Sequence, residues 1–155
     1  MAGRRELENL AELKNLVGEE IVVSDWFAVT QERINQFADA TNDWQWIHVD
    51  AARAVAESPF KAPIAHGFLT NSLMSFLSEQ ALKFRQPPRM GINYGFDRLR
   101  FVAPLLANSK IRLRLSLKRV EELAGAVQTT WDVVIESEGG AKPNCVAEWL
   151  TRYYE

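Results

Sequence analysis

The chain has 155 residues and is 47% hydrophobic, which predicts one domain, residues 1–155, with its own core. Its 18 Lys and Arg nearly balance 20 Asp and Glu, giving a formal net charge of -2, so no basic surface is expected to bind nucleic acid. The N-terminus is charged, and no stretch reaches the roughly 18 apolar residues that a membrane helix needs, so we expect a cytoplasmic protein without a membrane partner.

The N-terminal part of the chain predicts a helix, a strand and a second helix. Leucines recur at every third position within residues 6–16 and indicate a short amphipathic helix that ends near Gly18. Residues 21–29 are rich in β-branched and aromatic side chains, as strands are. Thr30 then offers a side-chain oxygen that can cap a helix over residues 31–40.

Residues 41–63 show no regular period, apart from a short Ala-rich helix predicted over residues 51–57 with Asp50 as its cap. Long irregular connections in compact domains tend to be either functional or disordered. Trp44 and Trp46 argue against disorder, because disordered segments are poor in aromatic residues. We therefore expect this segment to be packed and functional.

The rest of the chain predicts a buried helix followed by a sheet. Apolar residues lie on nearly every side of a helix over residues 67–84, which must then be buried on most sides. Period-two alternation and intervening turns predict four strands. These strands span residues 91–102, 111–118, 127–135 and 144–153. Cys145, the single cysteine, is expected to be a buried, inert thiol. This order indicates an α+β fold with an antiparallel sheet wrapped around one central helix.

The only two histidines, His48 and His66, fall in or beside the irregular segment. Asp43 precedes His48 by five positions, so one loop can turn both side chains toward the same cavity. A carboxylate beside an imidazole can divide acid and base roles near neutral pH. The same spacing also fits a loop aspartate with a packed, structural histidine.

Gly67 stands at the predicted start of the buried helix, directly after His66. The unpaired N–H groups of a helix N-terminus, approached closely across a glycine, can stabilise negative charge on a substrate oxygen. The same residues also fit a tight turn at Gly67 and a helix cap or a buried, hydrogen-bonded histidine at His66.

Several stretches of the chain together resemble one known family. They are FADATNDWQWIHVD at residues 37–50, PIAHGF at 63–68, NYG at 93–95 with Arg100, Phe101 and Pro104, and AKPNCVAE at 141–148. With these stretches the sequence resembles the MaoC-like (R)-specific enoyl-CoA hydratases, and within them the branch that includes nodulation protein N. The resemblance covers nearly the full length of the chain.

The chain departs from the common hydratase pattern, Gly-Asp-x-Asn-Pro before Leu-His. Asn42, Gln45 and Trp46 replace the Gly, Asn and Pro, and the Gln-Trp-Ile-His sequence looks usual for the nodulation-like branch. Asn42 can stand for the glycine if its backbone is left-handed, because Asn visits that region more readily than most residues.

The resemblance implies a hotdog fold and hydration of a trans-2-enoyl-CoA to an (R)-3-hydroxyacyl-CoA. It makes Asp43 and His48 the catalytic dyad, and it implies that the Gly67 N–H binds the thioester oxygen. Ser75 would help to hold the dyad, although a serine on an apolar helix also fits a bond to a backbone carbonyl four residues back. The residues expected to contact the substrate are Gln45, Trp46, Ile64 and His66. The resemblance also implies a homodimer joined through sheet edges and no metal or redox cofactor.

Other interpretations compete with this one. Asp43, His48 and His66 offer three metal ligands, without the helical two-histidine spacing of zinc motifs. A hydrolytic triad of Ser75, His48 and Asp43 lacks the Gly-x-Ser-x-Gly motif. A thioesterase, a dehydratase acting on carrier-protein-bound or short dicarboxyl thioesters, and a non-catalytic acyl-CoA-binding accessory protein are the alternative functions. The candidate contacts for coenzyme A phosphates, which also fit solvated surface cations, are Arg98, Arg100, Arg112 and Lys118.

Overall fold

The computed structural model describes residues 3–154, in which short elements precede a long helix and four long strands. The strands are β1 (Arg5–Leu7), β2 (Glu20–Val23), β3 (Phe27–Val29), β4 (Leu82–Phe84), β5 (Met90–Arg100), β6 (Ser109–Leu123), β7 (Ala126–Ser137) and β8 (Cys145–Tyr154). The helices are a 3-10 helix (Leu10–Leu16), α1 (Gln31–Thr41), α2 (Trp46–Val49), α3 (Ala51–Glu57) and α4 (Gly67–Ala81).

Six strands form an antiparallel sheet with the order β2-β6-β7-β8-β5, in which β3 also pairs with β6. Trp131 of β7 lies in register between Leu117 of β6 and Trp149 of β8. Because these large side chains stand side by side, they form an apolar band across three strands on one face of the sheet. The strand β5 forms one edge of this sheet.

The core lies between this apolar face and α4. Along β6, Leu113 and Leu115 are fully buried, whereas the alternate Arg112 and Arg114 form ion pairs with glutamates on the opposite face. The buried side chains of α4 are Leu69, Thr70, Leu73, Met74, Leu77 and Ala81. Burying each large apolar side chain stabilises the fold by roughly 1.5–3 kcal/mol. The predicted α+β arrangement of an antiparallel sheet around a central helix is confirmed.

The predictions for the N-terminal elements are partly wrong. The leucines spaced three residues apart belong to a 3-10 helix, which has three residues per turn, and not to an α-helix. Before it, Arg5–Leu7 forms a strand that pairs in parallel with β4. The strand predicted over residues 21–29 is split at Ser24. There the Ser24 hydroxyl accepts a hydrogen bond from the Leu113 N–H at 2.9 Å, so a side chain replaces the backbone acceptor.

The central helix is shorter and less enclosed than its sequence predicts. It ends at Ala81 because residues Leu82–Phe84 pair with β1. Phe68 is 65% exposed and Phe76 is 37% exposed, so α4 is not buried on most sides within the single chain. No helix among residues 3–154 is both long and apolar enough to cross a membrane.

The predicted helix caps are confirmed, whereas the predicted packing of residues 41–63 is only partial: His48, Ala54 and Ser58 are buried, but Trp44 is 54% exposed. Thr30 Oγ1 accepts from the Arg33 N–H at 3.2 Å, and Asp50 Oδ1 accepts from the Arg53 N–H at 3.0 Å. The short helix α2 was not predicted, because four residues are too few to display a helical period.

Cys145 is fully buried at the start of β8, where it lies opposite Ile135 of β7. Burial raises the pKa of its thiol to about 11. The predicted buried thiol is therefore confirmed, and at neutral pH it remains protonated.

Candidate active site

The end of α1 turns the chain so that Asp43 begins the irregular segment. Asn42 is left-handed, with φ 57° and ψ 34°, as its place in the motif requires. The N–H groups of Asn42 and Asp43 both donate to the Ala38 carbonyl. The Asp43 side chain is 49% exposed, and its Oδ1 accepts from the Gln45 N–H at 3.4 Å. These local bonds position a carboxylate that solutes can reach.

His48 lies on α2 and is 7% exposed. Its Nδ1 lies 2.7 Å from the Ile64 carbonyl oxygen. A carbonyl only accepts hydrogen bonds, so Nδ1 carries the proton and the neutral ring has its lone pair on Nε2. The backbone contact therefore fixes the tautomer and leaves Nε2 able to act as a base.

Burial lowers the pKa of His48 below the ordinary histidine value of 6.5, and His66 acts in the same direction. The Ile64 hydrogen bond and the Asp43 charge raise this pKa, but they offset the effect of burial only in part. We expect an NMR titration of the His48 ring to show a midpoint below 6.5. Because the unfolded chain binds this proton more readily, the free energy of unfolding should fall as the pH drops below 6.5. A midpoint above 6.5 would contradict the lowering of the His48 pKa by burial.

His66 precedes α4, is 2% exposed and stacks on His48 with ring centroids 3.8 Å apart. Its Nε2 lies 3.0 Å from the Asp43 carbonyl oxygen and 4.0 Å from the Asp43 carboxylate. His66 is the N-cap residue of α4, as one of its interpretations predicted, and its main-chain carbonyl accepts from the Leu69 and Thr70 N–H groups, but its side chain makes no capping hydrogen bond. His66 instead joins the Asp43 loop to the His48 ring.

One donor atom each from Asp43, His48 and His66 lies within 4.8 Å of the other two. The structure thus brings together the three side chains that the sequence singled out. The same atoms form a candidate metal-ligand set. A metal ion bound at His66 Nε2 would displace that atom from the Asp43 carbonyl, whereas proton transfer through His48 Nε2 leaves both carbonyl contacts intact.

Gly67 is the first residue of α4 and follows His66 directly. Its N–H is one of the four at the helix N-terminus that lack an intrahelical acceptor. The positive end of the helix dipole therefore opens next to the three-residue cluster. The predicted start of the helix at Gly67 is confirmed, and binding of a substrate oxygen by its N–H stays a prediction.

Ser75 lies apart from the cluster. Its hydroxyl accepts from Asn93 Nδ2 of β5 at 3.0 Å, which places it neither against the dyad nor on the carbonyl four residues back. It is about 12 Å along the helix axis from Gly67 at 1.5 Å per residue. Ser75 also lines a cavity of about 140 Å³ with Tyr153. Within the single chain, the predicted support of the dyad and the hydrolytic triad are therefore not formed, because the side chain faces the edge strand.

The other predicted contact residues surround the cluster in different ways. Ile64 acts through its carbonyl, which orients His48. The Trp46 ring packs against the Arg53 guanidinium, 4.4 Å from the ring centroid. Gln45 is exposed. Contact of these side chains with a substrate stays a prediction.

Two of the candidate phosphate-binding cations already have partners. Arg112 pairs with Glu136 at 2.6 Å, and Lys118 pairs with Glu148 at 2.6 Å. Arg98 and Arg100 on β5 make no ion pair within 4.0 Å among residues 3–154. Only the latter two therefore remain available to a phosphate without breaking an existing pair.

Two residues of α1 contact the histidines and were not predicted to belong to the site. Gln31 Nε2 donates to the His48 carbonyl at 2.7 Å, and the Phe37 ring lies 4.9 Å from the His66 ring. Phe37 has the helical spacing of an ordinary core residue, and Gln31 is one of many polar residues in first turns. Gln31 carried no signal in sequence that could have identified it, and Phe37 begins a stretch that carries the family resemblance but was given no role there.

Known proteins share both the sequence and the fold. The MaoC like domain matches residues 12–138. The 3-hydroxyacyl-thioester dehydratase Z of Mycobacterium tuberculosis is 47% identical over 150 residues, covering 96% of this chain and 98% of that protein. Nodulation protein N of Rhizobium meliloti is 44% identical over 144 residues, covering 92% and 89%. The R-hydratase of Pseudomonas aeruginosa superposes with a TM-score of 0.67 at 26% identity, covering 90% and 82%.

These similarities confirm the predicted hotdog fold and the predicted resemblance, including its nodulation protein N branch. The matched domain contains the whole region from α1 to β7, and with it the three clustered side chains and the start of α4. The chain therefore belongs to the family of proteins with a MaoC like domain.

Proposed function

We propose that this protein catalyses the reversible, (R)-specific hydration of a trans-2-enoyl-CoA to an (R)-3-hydroxyacyl-CoA. The observation that carries the proposal is the cluster of Asp43, His48 and His66, in which one donor atom from each lies within 4.8 Å of the other two and which directly precedes the start of α4 at Gly67. A base, a second proton carrier and a donor for an oxyanion are the groups that such an addition needs. The names of two relatives, a 3-hydroxyacyl-thioester dehydratase and an R-hydratase, support the same chemistry.

In the proposed reaction Asp43 and His48 together activate a water molecule. The water oxygen bonds to the β-carbon, and the double-bond electrons move toward the thioester carbonyl, where the Gly67 N–H stabilises the enolate-like oxygen. A proton then returns from the dyad to the α-carbon, so that one water is added in total. The neutral His48 can accept the first proton because burial keeps its pKa low. Water and protein groups suffice, and we propose no metal or redox cofactor.

We also propose that the protein acts as a homodimer joined through β5. This strand is a sheet edge, whose unpaired N–H and C=O groups favour pairing with another strand. Four of its large side chains are between 37% and 53% exposed in the single chain: Met90, Ile92, Tyr94 and Phe96. A second copy would cover both the edge and these side chains.

The test of the proposed function is the incubation of purified protein with crotonyl-CoA. The enoyl absorbance should fall without release of free thiol, and chiral analysis should identify (R)-3-hydroxybutyryl-CoA as the product. A chelator should leave the rate unchanged. Release of free thiol would indicate a thioesterase, binding without turnover would indicate an accessory protein, and loss of activity with the chelator would favour the metal site.

A further inference from the structure

Phe101 packs directly against Gly67 at the start of α4. A Cβ atom placed on Gly67 would lie 2.6 Å from Cδ2 and 2.8 Å from Cγ of the Phe101 ring, closer than packed carbon atoms approach each other. The ring therefore occupies the space that any other side chain would need. Glycine at this position permits the contact with Phe101 as well as access to its own N–H.

The loop that carries Phe101 is anchored by a buried asparagine. Asn144 is 3% exposed. Its main-chain carbonyl accepts from the Val102 N–H at 3.2 Å, and its side-chain Nδ2 donates to the Pro104 carbonyl at 3.0 Å. On the other side the Ala65 N–H, just before α4, donates to the Leu105 carbonyl at 2.8 Å. These bonds fix the position of Phe101 relative to the helix N-terminus. They also give a physical role to Phe101, Pro104 and Asn144, which the sequence singled out.

Phe101 is 44% exposed, and Phe68, which is 65% exposed, meets it edge to face with centroids 5.9 Å apart. We call these two rings the aromatic cover. They place apolar surface beside the N–H groups that begin α4. A partial positive charge interacts more strongly with an oxyanion when water is kept away, because the local dielectric constant is lower.

We propose that Phe101 is a positioning residue that shields the Gly67 N–H from water while the thioester oxygen carries negative charge. This inference rests on the proposed hydratase function. Phe101 contacts Gly67, whose N–H is the proposed donor to the thioester oxygen. Its loss should therefore weaken stabilisation of the transition state more than binding of the substrate.

The test is steady-state hydration of crotonyl-CoA by Phe101→Ala and Phe101→Leu. We expect Phe101→Ala to lower kcat by about tenfold, a fraction of the 10² to 10³ lost with a whole oxyanion donor, and to change KM by less than about threefold. Leucine, which restores apolar bulk, should recover most of the rate. The matched control is Phe76→Ala, which removes a half-exposed ring that packs on Phe27 at a different part of α4.

A double-variant comparison tests the contact between Phe101 and Gly67, while the change of kcat without KM and its recovery in Phe101→Leu test the shielding. Gly67→Ala should lower kcat in the natural background, where its methyl group displaces Phe101, and should have a smaller effect in Phe101→Ala, where that clash is gone. Additive effects, or a normal kcat in folded Phe101→Ala, would overturn the inference and leave the hydratase function standing. No turnover in the unsubstituted protein would overturn both.

Discussion

Asp43→Asn should lower the kcat for crotonyl-CoA hydration by about 10² to 10⁴-fold, the usual contribution of a positioned acid-base group. The amide has nearly the shape of the carboxylate and can still accept the hydrogen bond from the Gln45 N–H through its oxygen. It carries no charge and cannot exchange a proton near neutral pH. Substrate binding and the fold should therefore persist while turnover is lost.

The matched control for this variant is Asp39→Asn. Asp39 lies in the last turn of α1, four residues before Asp43, and its Oδ1 accepts from Trp44 Nε1 at 2.8 Å. It is not a member of the cluster of Asp43, His48 and His66. Stopped-flow or steady-state absorbance at the enoyl band gives both rates. If Asp43→Asn were as active as Asp39→Asn, Asp43 would have no part in proton transfer.

His48→Gln should cause a loss of similar size, about 10² to 10⁴-fold in kcat, because it removes the base at Nε2. The glutamine amide can still donate to a carbonyl such as that of Ile64, so we expect a cost of only about 1 kcal/mol in the free energy of unfolding. His48→Ala would add a cavity next to the stacked His66 ring, and it should unfold more easily than His48→Gln.

The double variant Asp43→Asn/His48→Gln tests whether the two side chains work as one unit. Groups that act in the same proton-transfer step show strongly non-additive losses. We expect the double variant to be about as slow as the slower single variant. Multiplied losses would mean that the two residues contribute separately, and a near-normal rate in His48→Gln would remove the assignment of the base.

Local signals explain which parts of the fold could be predicted. The cap at Thr30 and the alternation along β6 depend on residues close in sequence, and both predictions are confirmed. The pairing of Arg5–Leu7 with Leu82–Phe84 depends on contacts between distant parts of the chain. The apolar residues of Leu82–Phe84 fit a helix as well as a strand. The helix predicted from periodicity therefore extended beyond Ala81, where α4 ends.

In the candidate site, too, features set by nearby residues could be predicted and features set by distant contacts could not. Asp43, His48 and His66 lie within one stretch of sequence, and their residue types alone drew attention to them. The orientation of each ring depends on partners from elsewhere, namely the Ile64 carbonyl and the side chains of α1. Ser75 received its proposed role from a motif position, and its actual partner, Asn93, is on a strand whose place no local pattern determines.

Alkylation of the single, buried cysteine can report on conformational opening of the protein. Alkylating reagents attack the thiolate, and Cys145 is enclosed between strands with its pKa raised to about 11. Modification therefore requires an excursion that separates β8 from its neighbour. The labelling rate measures the frequency of that excursion, and one mass-spectrometric assay can rank every variant for structural integrity without an added probe.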